Sequence, residues 1–149
     1  MTKSITPKNL VLYADDDADD LQLVQEAFAE YAKDVEVITV ADGGQALAWL
    51  QRLTDDDPVP CLVILDVNMP VMDGKQVLVR LRRLERFESV PVVLFTTSSL
   101  PADKQFAEKY GAGFITKPLN LKQMELITEE FIGHCVEEVR KKIRRGEGQ

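Results

Sequence analysis

Nowhere in this sequence does an apolar run approach the roughly 20 residues that crossing a bilayer requires. The opening MTKSITPKNL lacks the apolar stretch of an export leader. Membrane insertion and secretion are therefore set aside, and a cytoplasmic setting is expected. Histidine occurs once, at His134 in a strongly helical stretch, which leaves zinc chemistry and Ser–His catalysis little to work with. Cysteine occurs twice, at Cys61 and Cys135, each among apolar neighbours, so a buried, reduced pair is expected. Basic charge is short as well: 18 Lys and Arg face 25 Asp and Glu, a net charge of −7. Five of those cations, Arg140, Lys141, Lys142, Arg144 and Arg145, crowd into residues 140–149 against Glu147 alone. The remaining 13 basic and 24 acidic residues leave the body at −11. Such a body is a poor match for nucleic acid, and cations in the last turns of a terminal helix serve its dipole and its solubility.

What is present is a single-domain pattern, since 149 residues suffice for one proper core and not for two. Short apolar runs alternate with stretches of helical period. The run 10–14 reads as a strand, followed by a helix over 17–32 with Leu21, Val24, Ala27, Phe28 and Tyr31 on one face. Strand 35–40 precedes a helix over 42–53, and CLVILD (61–66) is the continuous apolar run of a fully buried parallel strand. Helix 74–84, strand 90–96, a helix over about 101–110 and strand 113–116 follow. A last helix is expected over about 121–145, started by Asn120 with Gln123 and ended at Gly146. Five strands alternating with five helices predict an α/β doubly wound parallel sheet.

Ligands of such sheets bind beyond the carboxyl ends of the strands, where the strand order reverses. With the order 2-1-3-4-5, strands 1 and 3 are neighbours at that point. Asp15 and Asp16 then lie beside Asp66, and three carboxylates on one rim make a hard oxygen site suited to Mg²⁺. VLYADDDADD holds two further roles: Asp17 can cap the first helix, and Asp19 and Asp20 can meet its positive end. The plain alternative treats all five aspartates as a solvated cap. The other strand ends argue against it, because each delivers a reactive group to the same rim. LDVNMPVMDG brings Asp66 and then turns through Pro70 and Asp73–Gly74, VVLFTTSS ends in hydroxyls, and GFITKP ends in Lys117. A carboxylate beside Mg²⁺ and a lysine is equipped to attack a phosphoryl donor. Pro118 would keep Lys117 aimed inward, and a proline there admits a cis as well as a trans bond.

These four strand ends, in order, resemble the two-component response-regulator receiver domain, over roughly residues 9–140, with 1–8 as an extension and 141–149 as a basic tail. The resemblance implies the flavodoxin-like five-stranded fold of order 2-1-3-4-5. It implies Asp66 as phosphoacceptor, with Asp15, Asp16, Asp66 and the backbone carbonyl of Asn68 holding Mg²⁺. It makes Thr96 the switch hydroxyl, Lys117 its cationic partner and Phe114 the switch aromatic, with Gly74 and Pro118 conformational. Slow intrinsic dephosphorylation, with Asn68 and Ser98 flanking the incoming water, makes the protein a switch and not a turnover enzyme. Thr97 and Phe114 depart from the commonest pattern: Thr97 adds bulk near the site, and Phe114 lacks a hydroxyl.

The LRRLERFESVPVVLFTTSS segment looks most like stand-alone receivers, of chemotaxis type and of the kind that pair with phytochrome kinases. The implied partners are a sensor histidine kinase and a downstream protein or phosphotransfer partner, read on the helix 4–strand 5–helix 5 face. Two rival readings are a phosphate-independent pseudo-receiver and an Mg²⁺-dependent phosphatase with an aspartate nucleophile. The first usually loses an acid or the lysine; the second wants an acid where Asn68 stands. Met124, Ile127, Phe131, Cys135, Val139 and Ile143 recur at helical spacing, and the last two suggest a tail contact with a second copy or the kinase.

Overall fold

The structure, a computed structural model, describes residues 9–118 and 122–135. The expected 1–8 extension, the 141–149 tail, the Asn120–Gln123 cap, Gly146 and the Val139–Ile143 contact lie outside the described residues or side chains. The strands are β1 (Asn9–Ala14), β2 (Val35–Val40), β3 (Leu62–Leu65), β4 (Val92–Thr96) and β5 (Gly113–Thr116). The helices are α1 (Ala18–Phe28), α2 (Gly43–Gln51), α3 (Gly74–Arg83), α4 (Pro101–Lys109) and α5 (Lys122–Gly133). All strand pairs are parallel, and the order is β2-β1-β3-β4-β5, as expected.

Alternation along the strands sends side chains to two cores. Val11 and Tyr13 of β1 join Val24 and Phe28 of α1 and Met124, Ile127 and Phe131 of α5 on one face. Leu12 and Ala14 join Ala46 and Leu50 of α2, Val77, Leu78 and Leu81 of α3 and Ala107 of α4 on the other. Phe131 is fully buried, stacking on Phe28 with centroids 6.0 Å apart and meeting Phe95 edge-on at 5.1 Å.

Several expected boundaries move; the first helix, expected over 17–32, is α-helical only to Phe28 and continues as a 3-10 turn over Ala29–Tyr31. The fourth strand begins at Val92 and not at residue 90, since Pro91 has no N–H to give a ladder. Between the expected helix 74–84 and strand 90–96, a 3-10 turn at Glu85–Phe87 buries Phe87. Among the described residues α5 closes at Gly133, where the next two N–H groups, of His134 and Cys135, bond three residues back to Phe131 and Ile132, as tightened last turns do; residues 136–145 of the expected helix lie outside the described residues. The Cys61 and Cys135 thiols are buried and reduced, as expected, and they touch each other at 3.6 Å.

Asp73 starts α3 with a reciprocal box, in which its carboxylate accepts from Gln76 N–H at 2.8 Å while Gln76 Oε1 accepts from Asp73 N–H at 3.0 Å. Asp73→Ala should therefore cost about 1 kcal/mol of unfolding free energy in a urea titration. No loss would mean that water replaces the box.

Candidate functional site at the carboxyl edge of the sheet

Strand register brings the acids together. Ala14 stands opposite Leu65, and Asp66 N–H donates to Ala14 C=O at 3.0 Å, so Asp15 and Asp66 leave neighbouring strands side by side. Asp16 follows, exposed where the other two are buried. Carboxylate oxygens of Asp15, Asp16 and Asp66 all lie within 4.8 Å of one another. From the far side, Thr96 pairs with Thr116, and Lys117 N–H donates to Thr96 C=O at 2.8 Å. That bond aims Lys117 back across the edge. Its Nζ reaches Asp15 Oδ2 at 2.7 Å, Asp20 Oδ2 at 2.7 Å and Asp66 Oδ2 at 3.1 Å. The Lys117–Pro118 bond is trans.

Two members of this cluster were not expected. Asp17 caps α1 as anticipated, accepting from the N–H groups of Asp19 and Asp20, but the Asp20 carboxylate goes to Lys117 instead of simply facing the helix dipole. The signal was present, since Asp20, Val24 and Phe28 form one i, i+4, i+8 row, and the last two are buried. Tyr13 is the other: its hydroxyl donates to Asp15 Oδ2 at 2.5 Å from within the α1–α5 core.

Three carboxylates thus share one ammonium, with Asp16 beside them. Burial pushes the Asp66 carboxyl up to about 6; the Lys117 charge pulls it down less than burial raises it, and Asp15 adds to the rise. Burial alone would depress Lys117, but its bonds to Asp15 and Asp20 outweigh that and push it up, so it stays charged. Burial and the adjacent Asp15 hold the Tyr13 phenol neutral, far above its ordinary range. A surplus of hard oxygen donors around one cation fits a divalent ion such as Mg²⁺ or Mn²⁺.

The other expected residues divide. Asn68, exposed, donates its backbone N–H to Asp66 Oδ1 at 3.3 Å. Gly74 has no room for a Cβ, which would collide with the Asp66 carbonyl oxygen. The intervening loop turns tightly at Val71, which has a positive φ of 67°, with Met72 N–H returning to Pro70 C=O at 2.7 Å. Thr96 is fully buried at the end of β4, and Thr97 is exposed. Phe114 is half-buried against the α2–α3–α4 core. Ser98, expected beside an incoming water, donates its hydroxyl to Asp103 at 2.5 Å. Sequence reading passed over Asp103 and its ion-pair partner Lys75, because their meeting across α3 and α4 has no local signature.

Residues 11–129 match the model of the response regulator receiver domain. Response regulator Rcp1 of Synechocystis sp. is 33% identical over 127 residues, which span 83% of this chain and 86% of that protein. The phosphorylated cyanobacterial phytochrome response regulator RcpA superposes with a TM-score of 0.75 at 30% identity, covering 85% of this chain and 95% of RcpA. The Mn²⁺-bound form of Rcp1 gives 0.73 at 32% identity, with 83% and 93% covered. With the expected strand order and an acidic cluster at the switch point, the chain belongs to the response regulator receiver domain family.

Proposed function

We propose that this receiver takes a phosphoryl group onto Asp66 from a sensor histidine kinase and uses the change to switch its protein contacts. The observation that carries the reading is the position of Asp66: a buried carboxylate 3.1 Å from Lys117, with Asp15 and Asp16 carboxylates within 4.8 Å. Asp15, Asp16, Asp66 and the Asn68 carbonyl are the residues that would hold Mg²⁺. When bound, the ion supplies positive charge against the phosphoryl oxygens.

An ionised Asp66 oxygen attacks phosphorus, forming an acyl O–P bond as the bond from phosphorus to the donor imidazole nitrogen breaks. Lys117, kept protonated by its acidic neighbours, stands ready to exchange part of its contact with Asp15 and Asp20 for a phosphoryl oxygen. The product adds charge of about −1.5 to −2 at the strand end, as phosphate esters do. Thr96 offers the hydroxyl that moves toward it, and Phe114 repacks on the α4–β5–α5 face. Leu126, 66% exposed on α5, offers an apolar residue for a partner to cover. Similarity to the phytochrome response regulator RcpA favours a phytochrome-type kinase. Hydrolysis of the acyl phosphate is intrinsic and slow, with no external substrate turned over.

Intact mass after incubation with acetyl phosphate tests this. The expected result is a gain of one phosphoryl group, dependent on Mg²⁺ and abolished by Asp66→Asn. Labelling that survives Asp66→Asn, or no labelling of the wild type at all, would remove Asp66 from this role.

A further inference from the structure

Asp103 lies in the first turn of α4 and is only 7% exposed, although carboxylates are seldom that buried unless paired. Both of its oxygens are engaged. Oδ1 forms an ion pair with Lys75 in the first turn of α3, and Oδ2 accepts the Ser98 hydroxyl at 2.5 Å. The Lys75 ammonium also sits 5.2 Å from the centre of the Phe106 ring, which fixes it from the α4 side. The connection continues inward: Ser98 Oγ accepts from Leu100 N–H at 3.2 Å, and Ser98 N–H donates to Thr96 Oγ1 at 3.1 Å. A chain of polar contacts thus runs from the starts of two helices to the buried hydroxyl at the end of β4, and none of its links is one of the three acids bonded to Lys117 or Asp16 beside them.

We propose that Asp103, held by Lys75, is a positioning residue that latches the 97–100 loop and keeps Thr96 in its resting arrangement. This rests on the reading of Asp66 as phosphoacceptor and Thr96 as its hydroxyl partner. Moving Thr96 Oγ1 toward Asp66 draws it away from Ser98 N–H unless the loop follows, and the loop is tied to Asp103 through Ser98 Oγ. One of these contacts must be given up. Contacts made only in the resting arrangement bias the equilibrium toward it, so releasing them favours the phosphoryl-bound arrangement. The same tie commits the Ser98 hydroxyl proton to Asp103, so Ser98 is not free to direct a hydrolytic water while the latch is closed.

The test has two readouts on the full chain. Amide hydrogen exchange of the metal-free protein should show the Ser98 N–H exchanging about tenfold faster in Asp103→Ala. In Mg²⁺, the half-saturating concentration of beryllofluoride, a phosphoryl mimic, should fall about three- to tenfold in Asp103→Ala and less in Lys75→Met. Lys75→Arg keeps the ion pair and should return the wild-type value, which general loosening of α4 would not do. Should Asp103→Ala fail to fold, Ser98→Ala removes only a hydroxyl and should shift beryllofluoride binding in the same direction. Unchanged or weaker binding in these variants, with a wild type that binds, overturns the latch alone. A wild type that does not bind the mimic overturns the reading of Asp66 and the latch with it.

Discussion

Asp66→Asn should stabilise the metal-free protein at pH 7.5, by about 1–3 kcal/mol, even as it abolishes phosphoryl uptake. The Asp66 side chain is 9% exposed, and its carboxyl is raised from 3.8 to about 6, first by burial and then by Asp15, with Lys117 only partly offsetting them. A folded-state value above the unfolded one favours folding of the protonated form. The contribution of this group is therefore full below about pH 4 and is lost as pH rises through about 6. Above that, the fold carries an ionised Asp66 at a cost of about 3 kcal/mol, because a tenfold change in proton affinity between the unfolded and folded chain is worth about 1.4 kcal/mol. Asparagine removes the charge and keeps an oxygen that can accept from Asn68 N–H or Lys117, while Lys117 retains Asp15 and Asp20. Part of the relief is spent on the weaker contact with the ammonium, hence the range.

Thermal unfolding in EDTA checks this, with a midpoint about 2–12 °C above wild type at pH 7.5 and a gap that closes by pH 4. Millimolar Mg²⁺ should narrow or reverse the order at pH 7.5, because it stabilises the protein that binds it more tightly. An equal or lower midpoint for Asp66→Asn in EDTA would show that the site carries no stored repulsion.

That repulsion is the part of the site the sequence displays openly. Asp15 and Asp16, Asp66 and Lys117 follow β1, β3 and β5 at the carboxyl edge of the sheet, and strands 35–40 and 113–116 are found as expected because β-branched and apolar runs bounded by turn residues leave little latitude. The pairing of acids was legible because parallel register follows from strand order. What was not legible depends on side-chain direction in three dimensions. Asp20 looked like a helix-dipole residue because it shares the first turn with Asp19, behind the Asp17 cap; only its place in the row with Val24 and Phe28 marks it as inward. Tyr13 lies in an apolar run, and nothing local reveals that its hydroxyl meets Asp15. Lys75 and Asp103 are far apart in the chain and meet because α3 and α4 pack on the same face of the sheet, a fact of topology and not of motif. The close of α5 at Gly133 was not legible for a related reason: apolar spacing at Cys135 continues the helical period, and periodicity is blind to where the hydrogen bonds run.

Lys117→Met should have the largest effect of any single change at the edge, a loss of about 3–5 kcal/mol in the metal-free protein at pH 7.5. Its ammonium, 9% exposed, is bonded to Asp15, Asp20 and Asp66, and of these Asp15 is fully buried and cannot recover its partner from water. Methionine fills a similar volume against the Phe95 ring, which lies 5.8 Å from Nζ, so the cost reads the charge and not a cavity. With no Lys117 charge to offset its burial, Asp66 should hold its proton to higher pH, and the variant should regain much of its stability on acidification, opposite to a core lesion. Mg²⁺ should also restore part of it, since a divalent ion bound by Asp15, Asp16 and Asp66 supplies the missing charge. The two substitutions should not add: in the Lys117→Met background, Asp66→Asn should stabilise by at least about 1 kcal/mol more than in wild type, because the acid it removes no longer has an ammonium beside it. Urea unfolding of the four proteins in EDTA measures that coupling. A cost for Lys117→Met below about 1 kcal/mol, with no coupling to Asp66→Asn, would mean that water and not Lys117 neutralises the edge, and the electrostatic account of the site would fall.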